Sequence, residues 1–429
     1  MSEHISELTH YQLMLWLVFP VYYNYRPFSL IEIWSFLLSL YEIPDLAGDD
    51  GQKCNLTEYK MKLKATLRLE NGMEFHGYSL GCTKAVCGEV VFNTSMVGYP
   101  EQLTDATYSG QILCLTYPLI GNYGVPSEEL IAEQLSKNLE SDRIHPKGLI
   151  MFDYCEDYSN WEAEKSLRQW MEENDLTGIY GIDTRELTKI LRDKGAMKGS
   201  IIPEGAAMPE EAVKATPADV CCKEVITYAA QPAQDVENAN GSKAATTDGR
   251  KVVVVDCGVK HSIIRSLIAR GAEVIRVPFD YDFTSIDYDG IYVSNGPGCP
   301  CDCEQTIEHL KKALEGSKPV FGLGLGYLLI ARAAGCETMK LKRPHRSANQ
   351  PVRKEGSNRT YITSQNVSCT VKPSTVPSDW DVYFTNLNDG SVDGIRHKTK
   401  PFAGTQFNPE VCVGLTENIT LIDEFISKL

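Results

Sequence analysis

One short stretch of the sequence has the outline of a nucleophilic site. In KPVFGLGLGYLLIARAAG, residues 318–335, an apolar run at Lys318–Phe321 leads through Gly322-Leu323-Gly324-Leu325-Gly326 into the helical apolar density of Tyr327–Ala334, which Gly335 ends. Strand, sharp turn and helix in that order make an elbow, whose apex residue is strained so that its side chain projects into a cleft. The apex normally carries a hydroxyl or thiol that a neighbouring base activates for attack on a carbonyl carbon. Here the apex is Gly324, which has no side chain. A side chain held at an elbow stores roughly 1–3 kcal/mol of backbone strain, and glycine adopts such angles without a Cβ clash. The expectation is therefore that the turn persists at Gly324 without its nucleophile.

Other chemistry-bearing residues lie near. CPCDC, Cys299–Cys303, follows the glycine loop SNGPG, Ser294–Gly298. It reads as a loop of free thiols rather than a zinc site, because no second ligand pair stands at a metal-binding spacing. His345, in RPHRSANQP, follows the elbow helix and is not placed in the site. His261 and His397 read as packing or surface histidines. Asp256, at the end of an apolar strand, reads as a cap of the following turn.

Positioning these residues requires a sheet. From Lys251 the pattern is strand, turn, helix, strand (KVVVVDCGVKHSIIRSLIARGAEVIRVP), and the uninterrupted Val252–Val255 suits a parallel strand buried on both faces. GIYVSNGPG and KPVFGLGLG each end a strand in a glycine loop, and in open α/β sheets ligands bind beyond the carboxyl ends of strands. The expected fold class is α/β: a doubly wound parallel-type sheet over residues 251–429, preceded by a β-rich α+β domain at 60–205. In that first domain Asn71-Gly72 marks a hairpin, and TRELTKILRDKG reads as a helix closed by Gly195. Residues 206–250, small and polar, read as a linker.

The chain has 429 residues and a net charge of −15, with 42 Lys+Arg against 57 Asp+Glu, which argues against a nucleic-acid partner. Its 14 cysteines are scattered, which favours a reducing compartment, cytoplasmic or mitochondrial, over a disulfide scaffold. Residues 1–59 form an atypical apolar extension. Neither of its apolar runs reaches the roughly 20 clean residues of a membrane span, so membrane association is disfavoured. The acidic start MSEHISE suits neither a secretory nor a mitochondrial leader. An unused extension, a membrane-associated segment and a packed helical appendage stay open as readings.

GEVVFNTSMVGYPEQLTDATYSGQI with LTYPLIGNYG, GIDTRELTKILRDKG, VDCGVK, SNGPG, PVFG, FTNLNDGS, GIRHKTKPF and QFNPE together resemble the small subunit, or glutaminase half, of carbamoyl phosphate synthetase. The likeness runs from about Lys60 to Leu429, and residues 251–429 resemble a class I glutamine amidotransferase domain. The first two motifs match the N-terminal domain peculiar to this synthetase. The resemblance implies glutamine hydrolysis to glutamate and ammonia. A cysteine thiolate attacks the side-chain amide, a histidine moves the proton, a glutamate orients the histidine, and backbone N–H groups of the elbow and the GPG loop hold the oxyanion. It implies a partner, the large synthetase chain or domain, to which ATP and bicarbonate would belong. This chain itself would carry no cofactor.

Carried over residue by residue, the pattern fails where the chemistry lies. Gly324 stands at the nucleophile position and Asn408 at the base position. An amide exchanges hydrogen bonds but not protons at neutral pH. Glu410, the orienting carboxylate, is retained. Of the implied substrate positions, Ser95, Gly296, Gly298 and Asn366 match, and Leu325 is a further position of the set. Leu328 stands in place of a glutamine, and Ser368 and Cys369 replace a glycine and an aromatic residue. Neither Asn408 nor Val367 offers a base to a substitute thiol at Cys299, Cys301 or Cys303. The reading that follows is a pseudo-glutaminase serving as scaffold or regulatory partner of an ammonia-using synthetase chain. Its rivals are an active glutamine-dependent subunit whose sequence carries errors at the site, and a module that binds L-glutamine or another ligand without turnover. No ATP-grasp segment or P-loop is visible, so synthesis of carbamoyl phosphate is not expected from this chain alone.

Overall fold

The computed structural model describes residues 62–209, 211, 214–233, 244–408 and 420–429. The expected extension at 1–59 lies outside the described residues. No helix among those described is long and apolar enough to cross a membrane.

The first region is a closed barrel of β1 (Lys64–Leu69), β2 (Glu74–Gly81), β3 (Val86–Asn93), β4 (Gln111–Leu115), β5 (Gly148–Ile150), β6 (Thr177–Tyr180) and β7 (Met197–Pro203), ordered β1-β7-β3-β4-β5-β6-β2. The Asn71-Gly72 turn joins β1 to β2 as an antiparallel hairpin, with Gly72 at φ +83° and its N–H donating to the Leu69 carbonyl. Period-two alternation sends Ile112 and Cys114 of β4 into one apolar cluster and Leu113 and Leu115 into another. Helix α1 (Thr184–Lys194) covers one of these clusters with Leu187 and Leu191. Asp183 caps its start and Gly195, at φ +91°, its end.

The second region is a ten-stranded sheet. Its centre is parallel: β10 (Glu273–Pro278), β9 (Lys251–Asp256), β11 (Gly290–Val293), β12 (Val320–Leu323) and β17 (Phe402–Thr405) lie side by side. Val252 and Val254 face the cluster that includes α2 (His261–Ala269) and α5 (Thr420–Ile426). Val253 and Val255 face the cluster that includes α3 (Glu304–Glu315) and α4 (Leu325–Ala333). The doubly wound expectation thus holds for the centre of the sheet. Beyond β17 it continues antiparallel through β16 (Val392–His397), β14 (Thr360–Val371), β13 (Thr338–Lys354) and β15 (Trp380–Asn386).

The 206–250 stretch is not a linker throughout. β8 (Ile226–Tyr228) pairs antiparallel with β10 as the other edge strand, and Cys222, Ile226 and Tyr228 join the apolar core. Three residues are too short for alternation to show, and the polar residues around them dominate the composition.

A polar seam ties barrel to sheet. Lys260 Nζ lies 3.1 Å from Asp105 Oδ2, both side chains being buried. Glu140 accepts from the N–H and hydroxyl of Ser262, Arg265 donates to the Ser136 and Leu139 carbonyls, and His261 Nδ1 accepts from the Ser136 N–H at 3.0 Å.

Candidate active site

Three parallel strands deliver their carboxyl ends to one place. β12 pairs with β11 on one side and β17 on the other, with Leu323 opposite Thr405. Gly324 therefore emerges between the SNGPG loop after β11 and Asn408 just beyond β17, and its N–H donates to the Thr405 carbonyl at 2.8 Å.

Gly324 sits at φ +54°, ψ −109°, the sharp elbow conformation, between strand and helix. The turn is narrower than its glycine content suggested. Gly322 belongs to β12 and Gly326 to the first turn of α4, so only Gly324 turns the chain. The other two glycines permit close packing: a Cβ on Gly326 would meet the Val293 carbonyl, and one on Gly322 would meet Ile330 and Gly326. The helix starts at Leu325 rather than Tyr327, with Gly324 as its N-cap residue.

The seat of a thiol is taken by Asn295. A Cβ at Gly324 would land on the Oδ1 and Cγ of the Asn295 side chain, which is 6% exposed. Asn295 Oδ1 accepts from the Leu325 N–H at 3.0 Å and from the Gly296 N–H at 2.9 Å. Two converging donors require an acceptor, which fixes the carbonyl side of the amide toward them. These N–H groups come from the residue after the apex and from the glycine loop, the two sources expected to hold an oxyanion. A neutral amide oxygen of the chain itself now sits where charge would develop.

Asn408 is 6% exposed, and its N–H donates to the Ser364 carbonyl at 3.2 Å, joining the end of β17 to β14. Glu410 lies outside the described residues.

The implied substrate positions are bonded within the chain. Ser95 is buried and its N–H donates to Asn93 Oδ1. Asn366 donates to Thr107 Oγ1 at 2.9 Å, reaching across to the barrel, and its Oδ1 accepts from Arg346. Ser368 Oγ also accepts from Arg346, at 2.8 Å. Leu325 and Leu328 pack into the apolar core of the sheet. Half-buried Cys369 packs at the edge of that core, its thiol pushed up by burial. Gly298 adopts φ +94° in the loop that leads into the Pro300–Asp302 turn.

The sequence did not single out Arg346. It faces Asn366 across the antiparallel β13–β14 pair, and no residue type on either strand announces that pairing.

Substitute chemistry finds little support. The Cys301 thiol is pushed up to about 11 by its hydrogen bond with Cys299 and by burial, and the Cys303 thiol to about 12 by burial. Both are protonated at neutral pH and so poor nucleophiles. His345 is buried between Gln365 Oε1, 2.8 Å from Nδ1, and Asp389 Oδ2, 3.0 Å from Nε2, with both ring nitrogens engaged. Asp256 accepts from the N–H groups of Gly258, Val259 and Cys222 and from Arg276 Nε, the capping role expected with an ion pair added. Buried His261 is a packing histidine of the seam.

A parallel sheet with a sharp elbow at the carboxyl edge of a central strand, flanked by a glycine loop and by the end of the next strand, is the arrangement of a class I glutamine amidotransferase domain. Residues 253–428 match the family model for glutamine amidotransferase class I, and residues 67–201 match that for the carbamoyl-phosphate synthase small chain, CPSase domain. The arginine-specific small chain of carbamoyl phosphate synthase from Debaryomyces hansenii is 41% identical over 372 residues, 85% of each chain. The chain belongs to the carbamoyl phosphate synthase small-chain family. The human protein "Carbamoyl-phosphate synthase (ammonia), mitochondrial" is 43% identical over 372 residues, 85% of this chain and 24% of that one. The multifunctional protein pyr1-3 of Dictyostelium discoideum is 42% identical over 381 residues, 85% of this chain and 17% of that one. The chain thus spans only 17% to 24% of the length of these larger relatives.

Proposed function

We propose that this chain is a non-hydrolysing small subunit, a scaffold or regulatory partner for a carbamoyl phosphate synthetase chain or domain that draws on free ammonia. The observation that carries this reading is the elbow itself. Gly324 offers no nucleophile, Asn295 occupies its seat, and Asn295 Oδ1 accepts from both the Leu325 and the Gly296 N–H. A substrate carbonyl would have to displace a neutral group already bonded to both donors. Loss of nucleophile or base in such a site costs on the order of 10⁴–10⁶ in rate, and here Asn408 stands at the base position as well.

The relatives do not separate the possibilities by overall identity. The one named for ammonia is 43% identical and the arginine-specific small chain 41%. The residues at the elbow therefore carry the distinction. The intact walls and the seam support a role in assembly. ATP and bicarbonate would be handled by the partner, and glutamine would find Asn366 and Ser368 already engaged by Arg346.

The test is co-purification of the full chain with a large synthetase chain, followed by assays of the complex. The expected result is a stable complex that makes carbamoyl phosphate from ammonium but not from L-glutamine, and no ammonium release from glutamine by the chain alone. Glutamine hydrolysis at rates usual for amidotransferases would overturn the reading, as would failure to bind any large chain.

A further inference from the structure

Barrel and sheet flank a small cleft that opens to solvent. β3 and α1 supply one wall with Phe92, Leu191 and Arg192, and β13 the other with Arg343, Pro344 and Arg346. Three arginines are thus among the residues that line a single small cleft in a chain whose net charge is −15.

Arg346 is the informative one. It is 5% exposed, its partners are the neutral Asn366 and Ser368, and its Nε–H is buried without a hydrogen-bond acceptor. No carboxylate among the described residues is in ion-pair contact with it. Glu89, whose charge reaches it through space, instead accepts from Gln111. An isolated buried cation is costly unless an opposite charge and further hydrogen bonds satisfy it. Burial accordingly pushes its guanidinium down from the usual arginine range. Arg343, exposed at the mouth, has no ion pair among the described residues, and Arg192 reaches only its surface neighbour Asp193. Guanidinium forks match the oxygens of phosphate in geometry and charge.

We infer that this cleft is an anion site for a phosphate-class ligand, inorganic phosphate or a phosphate monoester, held by Arg346 at its base with Arg343 and Arg192 at its rim. The site spans barrel and sheet, so an occupant would be read by both. It shares Arg346 with the implied substrate positions Asn366 and Ser368, but anion binding there does not require glutamine hydrolysis.

The test is calorimetric titration of the full chain with sodium phosphate, at ionic strength held constant with chloride. The expected result is saturable binding that chloride does not reproduce. Arg343→Ala should weaken it about tenfold, the effect of losing one charge-assisted contact, and Arg346→Gln should abolish it. Arg343 is exposed, so its variant keeps the test decisive if Arg346→Gln does not fold. Phenyl phosphate binding more tightly than inorganic phosphate would support a monoester whose body rests on Phe92, Leu191 and Pro344; equal affinity would support free phosphate. Binding no different from chloride, or wild-type affinity in Arg343→Ala, would overturn the inference.

Discussion

The seam between barrel and sheet, built on α2, and the carboxyl edge around the elbow, built on β11, β12 and β17, follow different principles. At the seam, charges meet charges: Lys260 with Asp105 and Arg265 with Glu140, backed within the sheet by Arg276 with Asp256, which also takes three backbone N–H groups. At the elbow, the described groups at and around the apex are neutral: Gly324, Asn295 and Asn408. Buried charged networks impose a unique arrangement only when every partner is present. A set of amides satisfies hydrogen bonds without holding a proton that could be moved. One region therefore holds what fixes architecture, and the described residues at the apex of the other hold no group that transfers protons, which is what the proposed non-hydrolysing role requires.

The sharpest way to break the comparison is to remove one partner at the seam. Asp105 accepts from the N–H and hydroxyl of Thr107 as well as pairing with Lys260, and Thr107 in turn accepts from Asn366. Asp105→Ala removes one partner of a buried ion pair together with the acceptor that holds Thr107, a loss of about 3–5 kcal/mol. Urea denaturation followed by tryptophan fluorescence measures it. A loss near that of an exposed pair, about 0–1 kcal/mol, would mean that the seam is not the stabilising region.

The elbow should respond less and differently. Gly324→Cys places a side chain at φ +54° and on top of Asn295. Strain alone accounts for about 1–3 kcal/mol, and the displaced amide leaves the Leu325 and Gly296 N–H groups without their acceptor. Asn295→Ala in the same chain should relieve the collision, so the double variant should be more stable than the two single losses predict, with a coupling of about 0.5–3 kcal/mol. Simple additivity would show that Asn295 does not fill the apex. Neither variant should release ammonium from glutamine at an amidotransferase rate, since Asn408 still stands at the base position.

Much of this architecture was legible in the sequence, because buried parallel strands and glycine loops leave strong local signals. Val252–Val255 announced a parallel strand, Asn71-Gly72 a hairpin, and GLGLG an elbow. What was hidden depended on contacts between segments far apart in the chain. Gly322 and Gly326 looked like parts of the turn because sequence does not show that Val293 and Ile330 press against them. Asn295 looked like part of a glycine loop because its fit at Gly324 needs β11 and β12 side by side. Arg346 sits on a strand interrupted by Pro344 and Pro351 and broken by register shifts on both sides of the Arg346–Asn366 pair, so neither the strand nor its facing residues could be counted. β8 was lost in the polar composition of the residues around it.

The smallest effect separates the two regions by pH, since the seam titrates and the described residues of the elbow do not. His261 is held neutral, its imidazole pushed down to about 3, first by burial and then by Arg276 and Arg265. In the unfolded chain it would titrate near 6.5. Between these values the unfolded state binds the proton and the folded state does not, so stability is lost as pH falls through 6.5 toward 3. From pH 7.5 to 5.5 that single group accounts for about 1.4 kcal/mol. His261→Asn keeps an acceptor for the Ser136 N–H while removing the titration. Its stability should therefore fall about 1.4 kcal/mol less over that interval than that of the unmodified chain, read from urea midpoints at the two pH values. Gly324→Cys, which touches no titrating group of the seam, should leave the same pH difference unchanged, and an unaltered slope in His261→Asn would remove His261 from the account of how the seam is held.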